Sequence, residues 1–141
     1  MNGEKEAEAI NKSRDILGLD KSVPSVAYKV INLHNPGGDY YIVIFGERNA
    51  SVAIAAVDGQ DLTIKTSATL KGTNAHLPVD RNQAIDLAGG KEVYSLDLVW
   101  KPGKLSRSPL YPIWRVHTSN GIKYVGQTGE LSQDLDDGPR G

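Results

Sequence analysis

The sequence predicts an α+β protein made of two helix-plus-three-strand antiparallel units, with each helix packed on one face of its sheet. Two stretches, 4–17 and 80–88, combine helix-forming residues with apolar positions three and four residues apart. Each is followed by three short runs with the alternation and the β-branched and aromatic content of strands. The two halves of the chain also align with each other in order, which indicates an internal duplication.

The first half begins with a helix over residues 4–17, which Gly18 is expected to end. The residues predicted to form its buried face are Ala9, Ile10, Ser13, Ile16 and Leu17. The three strands that follow, separated by turn residues, are 27–34, 39–46 and 51–57. A further segment, 62–70, alternates apolar and polar residues as a half-exposed strand does, and could extend this sheet.

The second half starts with a short helix in which Asp80 and Gln83 have the spacing of a capping box. Gly89-Gly90 are expected to end this helix. Its three strands are predicted at 93–100, 111–118 and 122–127. Asn120-Gly121 is a strong hairpin signal between the last two strands.

The internal alignment sets the predicted domain boundaries. Tyr28 in the first half aligns with Tyr94 in the second, and at the same offset Pro36 aligns with Pro102. The predicted organisation is a first unit at 1–72, a second unit at 73–132 and a disordered acidic tail at 133–141.

Composition excludes several classes of protein. The 141 residues are 39% hydrophobic and 23% charged, which is within the usual globular range, and the net charge of −1 provides no global attraction for nucleic acid or anionic membranes. The chain has no cysteine, so disulfides, thiolate nucleophiles and cysteine metal sites are excluded. It has no apolar run of membrane-spanning length, so no membrane insertion is expected. The N-terminus lacks the features of a secretory signal, which predicts a cytoplasmic protein, or an exported one if such a signal has been removed.

The segment Ser108–Leu131, SPLYPIWRVHTSNGIKYVGQTGEL, resembles the PepSY family, in which an aromatic-rich strand and a hairpin precede a tyrosine-valine strand and a Thr-Gly pair. The resemblance is clearest over residues 80–131. The first half is a weaker copy, since Ile54-Ala55 stand where the second half has Tyr124-Val125.

Membership of that family implies a helix packed on an antiparallel sheet, similar to cystatin-like folds. PepSY modules occur in peptidase propeptides, so the resemblance implies a non-catalytic protein- or peptide-binding role of an inhibitory or regulatory kind. It supplies no catalytic residues.

The residues themselves carry no pattern typical of an enzyme. His34, His76 and His117 have no ligand-like spacing, and the chain lacks a G-x-S-x-G nucleophile motif. We therefore predict no catalytic residues, no metal and no cofactor. A small-molecule site between a helix and a sheet is a third, weaker hypothesis.

The most distinctive surface signal is a basic aromatic stretch at 100–124, which has no acidic residue. The candidate partner-binding residues are Trp100, Arg107, Tyr111, Trp114, Arg115 and Tyr124. Tryptophan, tyrosine and arginine are favoured at protein interfaces, which predicts an unidentified protein or peptide as partner. The alternative is single-stranded nucleic acid, held by phosphate contacts and base stacking, and it is the less favoured of the two. Because side chains alternate between the two faces of a strand and one face must pack in the core, only some of these six residues are expected at the surface.

Overall fold

The computed structural model describes residues 2–48, 51–71, 77–89, 92–133 and 135. Within these ranges the chain forms two helices and eight strands. In chain order they are α1 (Asn2–Leu17), β1 (Ser25–Asn32), β2 (Tyr40–Arg48), β3 (Ser51–Asp58), β4 (Ile64–Lys71), α2 (Arg81–Leu87), β5 (Val93–Trp100), β6 (Ile113–Thr118), β7 (Gly121–Val125) and β8 (Leu131–Ser132).

The strands form a mixed sheet in the order β4-β3-β2-β1-β5-β6-β7-β8. β1 and β5 are parallel, with Val30 opposite Leu98, whereas β2 to β4 and β5 to β8 are joined by antiparallel pairings. The chain divides into two compact units, the first comprising 1–29 and 37–76 and the second comprising 30–36 and 77–141.

The predicted architecture of two helix-plus-three-strand antiparallel units is therefore wrong. The described residues form an eight-stranded mixed sheet with more strand than helix, in which β4 corresponds to the extension predicted at 62–70 and β8 is an additional strand. The parallel pairing of β1 with β5 also joins strands that were assigned to separate sheets. Local patterns of apolar residues do not specify this pairing, since it links segments more than sixty residues apart.

The positions of the individual elements follow local signals. Gly18 ends α1 with a positive φ of 67°, a conformation that glycine adopts without steric cost. The capping box before α2 is confirmed, since Asp80 accepts a hydrogen bond from the Gln83 N–H and the Gln83 side chain bonds back to the Asp80 N–H. Gly121 begins β7 with a φ of 109°, as expected for the β6–β7 hairpin. The predicted turn at 49–50, His76, Gly90 and the tail residues 134 and 136–141 lie outside the described residues.

In the first unit, α1 packs on β2 and β3. The cluster beneath it contains Ala9, Tyr41, Val43, Phe45, Ala55, Val57 and Leu62. The alternate side chains Ile42 and Ile44 are buried as well, which explains why β2 is apolar from Tyr40 to Phe45 rather than alternating. Ile16, predicted on the buried face of α1, is instead 65% exposed.

In the second unit, α2 packs on β6 and buries Ala84. β6 is buried on both faces at its start, since the adjacent residues Ile113 and Trp114 are both inaccessible. Among the described residues, neither helix is long and apolar enough to cross a membrane.

Candidate functional site

A cleft of about 520 Å³ opens in the second unit, beside the loop that joins β5 to β6. We call it the Tyr111 cleft. Its lining residues are Pro78, Lys104, Leu105, Ser106, Arg107, Tyr111, Gln127, Thr128 and Glu130. They come from the β5–β6 loop (101–112), the β7–β8 turn (126–130) and the segment before α2, so the cleft depends on three separate parts of the chain.

The β5–β6 loop is held in one conformation by serine hydrogen bonds. The Ser106 hydroxyl accepts from the Trp100 indole N–H at 3.2 Å and donates to the Ser108 carbonyl oxygen at 2.9 Å. The Gly103 N–H donates to the Ser106 carbonyl oxygen at 2.9 Å, and the Tyr111 N–H donates to that of Ser108 at 3.0 Å. These contacts fix the backbone that carries Arg107 and Tyr111.

The β7–β8 turn approaches the loop closely at Gly126. A Cβ atom on Gly126 would lie 3.1 Å from the Leu105 carbonyl oxygen, so the absence of a side chain allows the two backbones to approach each other. The turn is closed by a hydrogen bond from the Gly126 N–H to the Glu130 carbonyl oxygen at 2.9 Å.

Gln127 connects all three walls of the cleft. Its side chain is buried, and its Oε1 accepts from the Val79 N–H at 2.9 Å while its Nε2 donates to the Pro112 carbonyl oxygen at 2.9 Å. The Trp114 indole N–H donates to the Val79 carbonyl oxygen at 2.7 Å. Because both polar backbone groups of Val79 are bonded by side chains, the segment before α2 is fixed against the sheet and the cleft is preformed.

The charges around the cleft are unequal. Lys104 and Arg107 are exposed on the loop, Glu130 is exposed on the turn, and Tyr111 is half-buried. The lining therefore has two cations, Lys104 and Arg107, and one acid, Glu130. A half-buried aromatic ring beside two exposed cations suits a ligand that combines an apolar group with a carboxylate.

The structure separates the six candidate residues into four groups. Arg107 and Tyr111 line the cleft, whereas Trp100 supports the loop through its bond to Ser106. Trp114 is only 5% exposed and serves the core, so it presents no surface to a partner in this fold. Arg115 and Tyr124 lie apart from the cleft lining, opposite each other on β6 and β7.

Arg115 has a partner within the chain. Its Nε and Nη2 donate to the two carboxylate oxygens of Asp97 at 3.0 and 2.7 Å, and Asp97 lies directly opposite on β5. Hydrogen bonding to Asp97 raises the pKa of Arg115 above its ordinary value. Its guanidinium is therefore committed to an ion pair that crosses the strands.

Among the described aromatic candidates, Trp114 is not available to stack on nucleic-acid bases. Trp114 is enclosed, and the Trp100 ring meets the His34 ring edge-on at a centroid distance of 6.2 Å. In the described part of the chain, no three histidine or acidic residues are grouped as metal ligands would be.

Sequence patterns missed Gln127 and Ser106, the two residues that organise the cleft. Both are polar residues in turn-rich segments, where a polar side chain is ordinarily taken as solvent-exposed. The only available signal was that Gln127 lies between two glycines of a turn, Gly126 and Gly129.

Comparisons with protein-family models, with curated proteins and with solved structures found no match for this chain.

Proposed function

We propose that this protein is a non-catalytic binding module that holds a short acidic segment of another protein or a peptide in the Tyr111 cleft. The observation that carries the proposal is a preformed cleft of about 520 Å³ that combines the Tyr111 ring with the cations Lys104 and Arg107. An inhibitory or regulatory role is what the PepSY resemblance implies for such a binding module.

Preorganisation favours binding because the ligand does not have to order the walls of the cleft. Gln127 already fixes the turn, the loop end and Val79, so little conformational entropy is lost on that side of the interface. The Tyr111 ring offers apolar area, while Arg107 is suited to a carboxylate because its planar group donates two parallel hydrogen bonds.

The test uses two pools of fluorescein-labelled peptides of about seven residues, which is the length of an ordinary strand. The pools share random flanks and differ only in a central Glu-Leu or Gln-Leu pair. Fluorescence anisotropy with the full chain is expected to show tighter binding of the Glu-Leu pool and weaker binding as salt is added.

Arg107→Glu is expected to weaken binding of the Glu-Leu pool by about tenfold, since an attraction at the cleft becomes a repulsion. Lys21→Glu is the matched control, because it makes the same charge change at an exposed position outside the cleft lining. If neither pool binds, or if both variants weaken binding equally, the cleft is not a binding site for acidic peptides.

Single-stranded nucleic acid is tested in the same assay with a labelled oligonucleotide of about ten nucleotides at low salt. Binding of the labelled oligonucleotide that is lost in Arg107→Glu, with no binding of either peptide pool, would assign the cleft to nucleic acid instead.

A further inference from the structure

The open edge of β4 is a second candidate interaction surface, separate from the Tyr111 cleft. β4 is the last strand in the sheet order and pairs antiparallel with β3 on one side, and no described strand pairs with its other side. Lys65, Ser67 and Thr69 along it are exposed. An edge of this kind leaves backbone donors and acceptors available to an added strand.

Helix α1 extends an apolar side chain toward this edge. Its buried residues Ala9 and Ser13 face the sheet, but Ile16 is 65% exposed although it belongs to the same apolar stripe. Ile16, Leu62 and Ile64 line a groove of about 510 Å³ together with Lys12, Asp15 and Thr63. The apolar stripe of the helix is therefore wider than the surface that the first unit places beneath it.

The floor of this groove is held rigidly by the turn that precedes β4. Leu62 has a φ of 60°, which is unusual for a leucine, and its side chain is buried. The Leu62 N–H donates to the Asp58 carbonyl oxygen at 3.0 Å, and the Asp58 N–H donates to the Thr63 carbonyl oxygen at 2.8 Å. A partner would meet a surface that is already shaped.

The two faces of β4 differ in chemistry. Ile64 and Ser67 lie opposite Val57 and Ala55, which belong to the cluster beneath α1, so they share the α1 face. Lys65 lies on the other face, where its Nζ is 6.0 Å from the centroid of the Tyr40 ring. Adjacent residues of an added strand would therefore meet an apolar groove on one side and a lysine on the other.

We propose that the β4 edge accepts an extended, acidic segment of a partner protein as an additional strand, with an apolar residue on Ile16 and a neighbouring acidic residue near Lys65. The charge of the edge favours this occupant. From Ile64 to Lys71 the strand has two lysines and no acidic residue. Pairing of β4 with β4 of a second copy would therefore bring like charges together, whereas an acidic strand would be attracted.

The probe is a synthetic peptide of about seven residues in which valine and glutamate alternate, added to the full isotope-labelled chain. Amide chemical shifts and hydrogen exchange are followed by NMR. We expect slowed hydrogen exchange at amides of β4. In an added strand, the N–H groups of every second peptide residue face the β4 backbone, so N-methylation of that set is expected to abolish binding and N-methylation of the other set is not.

Ile16→Ser is expected to weaken binding about tenfold, since most of that side chain is available for burial. Leu87→Ser is the matched control, because it removes another exposed apolar side chain, on α2 in the second unit. Loss of binding in both variants, or an absence of changes at β4, would overturn the proposal. Protection of β4 that rises with protein concentration and accompanies a dimer in sedimentation would overturn it in favour of a second copy.

Discussion

Changing Gln127 to glutamate tests the hydrogen bonds that organise the Tyr111 cleft. The glutamine uses its acceptor for the Val79 N–H and its donor for the Pro112 carbonyl oxygen, both at 2.9 Å, and the side chain is buried. A carboxylate keeps the acceptor but has no donor. In Gln127→Glu an ionised oxygen would therefore face the Pro112 carbonyl oxygen in a buried site.

The size of the effect depends on pH. Leaving the Pro112 carbonyl unpaired costs about 1 to 3 kcal/mol, and burial raises the pKa of the new carboxyl above its unfolded value of about 4.3. Below about pH 4 the group is protonated in both states, and its O–H can donate to Pro112. Above that value the deficit relative to the wild type grows by roughly 1.4 kcal/mol per pH unit, until the folded-state pKa is reached. We expect a deficit of about 2 to 4 kcal/mol at about pH 7.

Urea denaturation followed by tryptophan fluorescence at about pH 4 and about pH 7 measures this difference. Gln127→Leu is expected to lower stability equally at both pH values, because it removes both hydrogen bonds without adding an ionisable group. Thr128→Glu places the same charge on the neighbouring exposed residue and is expected to change stability little. A Gln127→Glu variant as stable as the wild type at about pH 7 would refute the described role of Gln127.

Three further predictions concern the first unit. Ser13→Ala is expected to raise the free energy of unfolding by about 1 kcal/mol, because the hydroxyl is fully buried in α1 with no hydrogen-bond partner among the described residues; a loss of stability in urea would contradict this. Gly59→Ala is expected to cost about 1 to 3 kcal/mol in the same assay, since its Cβ would lie 2.5 Å from the Asp39 carbonyl oxygen, and an unchanged midpoint would exclude that close approach. Hydrogen bonds from the Thr63 N–H and hydroxyl lower the pKa of Asp61, so its stabilising effect is present above its unfolded pKa of about 3.9 and is lost as the pH falls. Asp61→Asn should therefore reduce the decline in melting temperature below about pH 4. A melting temperature that declines as steeply in Asp61→Asn as in the wild type would contradict this role of Asp61.

Local chemistry made the individual elements predictable. The capping box of Asp80 with Gln83, the positive φ of Gly18 and the hairpin at Gly121 each depend on residues within a few positions of one another. Such signals act before tertiary structure is specified, so the sequence alone is sufficient to locate them.

The sheet organisation could not be read in the same way. Whether β1 pairs with β5 or with another strand depends on the relative stability of whole sheets, and an apolar strand such as β2 is compatible with many partners. The prediction of separate three-strand units failed for this reason.

The candidate site was predicted in part. Arg107 and Tyr111 line the cleft, but Trp114 is a core residue. β6 buries both of its faces at Ile113 and Trp114, so the alternation of side chains along a strand does not tell which of its residues are exposed. Gln127 was missed because its importance comes from two backbone groups far away in sequence.

The central claim is that the Tyr111 cleft binds acidic peptide segments, and NMR chemical-shift mapping with the Glu-Leu peptide pool tests it most directly. We predict that the largest changes in the wild-type chain occur at amides of residues 104–111 and 127–130, and that they vanish in Arg107→Glu but persist in Lys21→Glu. Shifts confined to other residues, or unchanged in Arg107→Glu, would contradict the account.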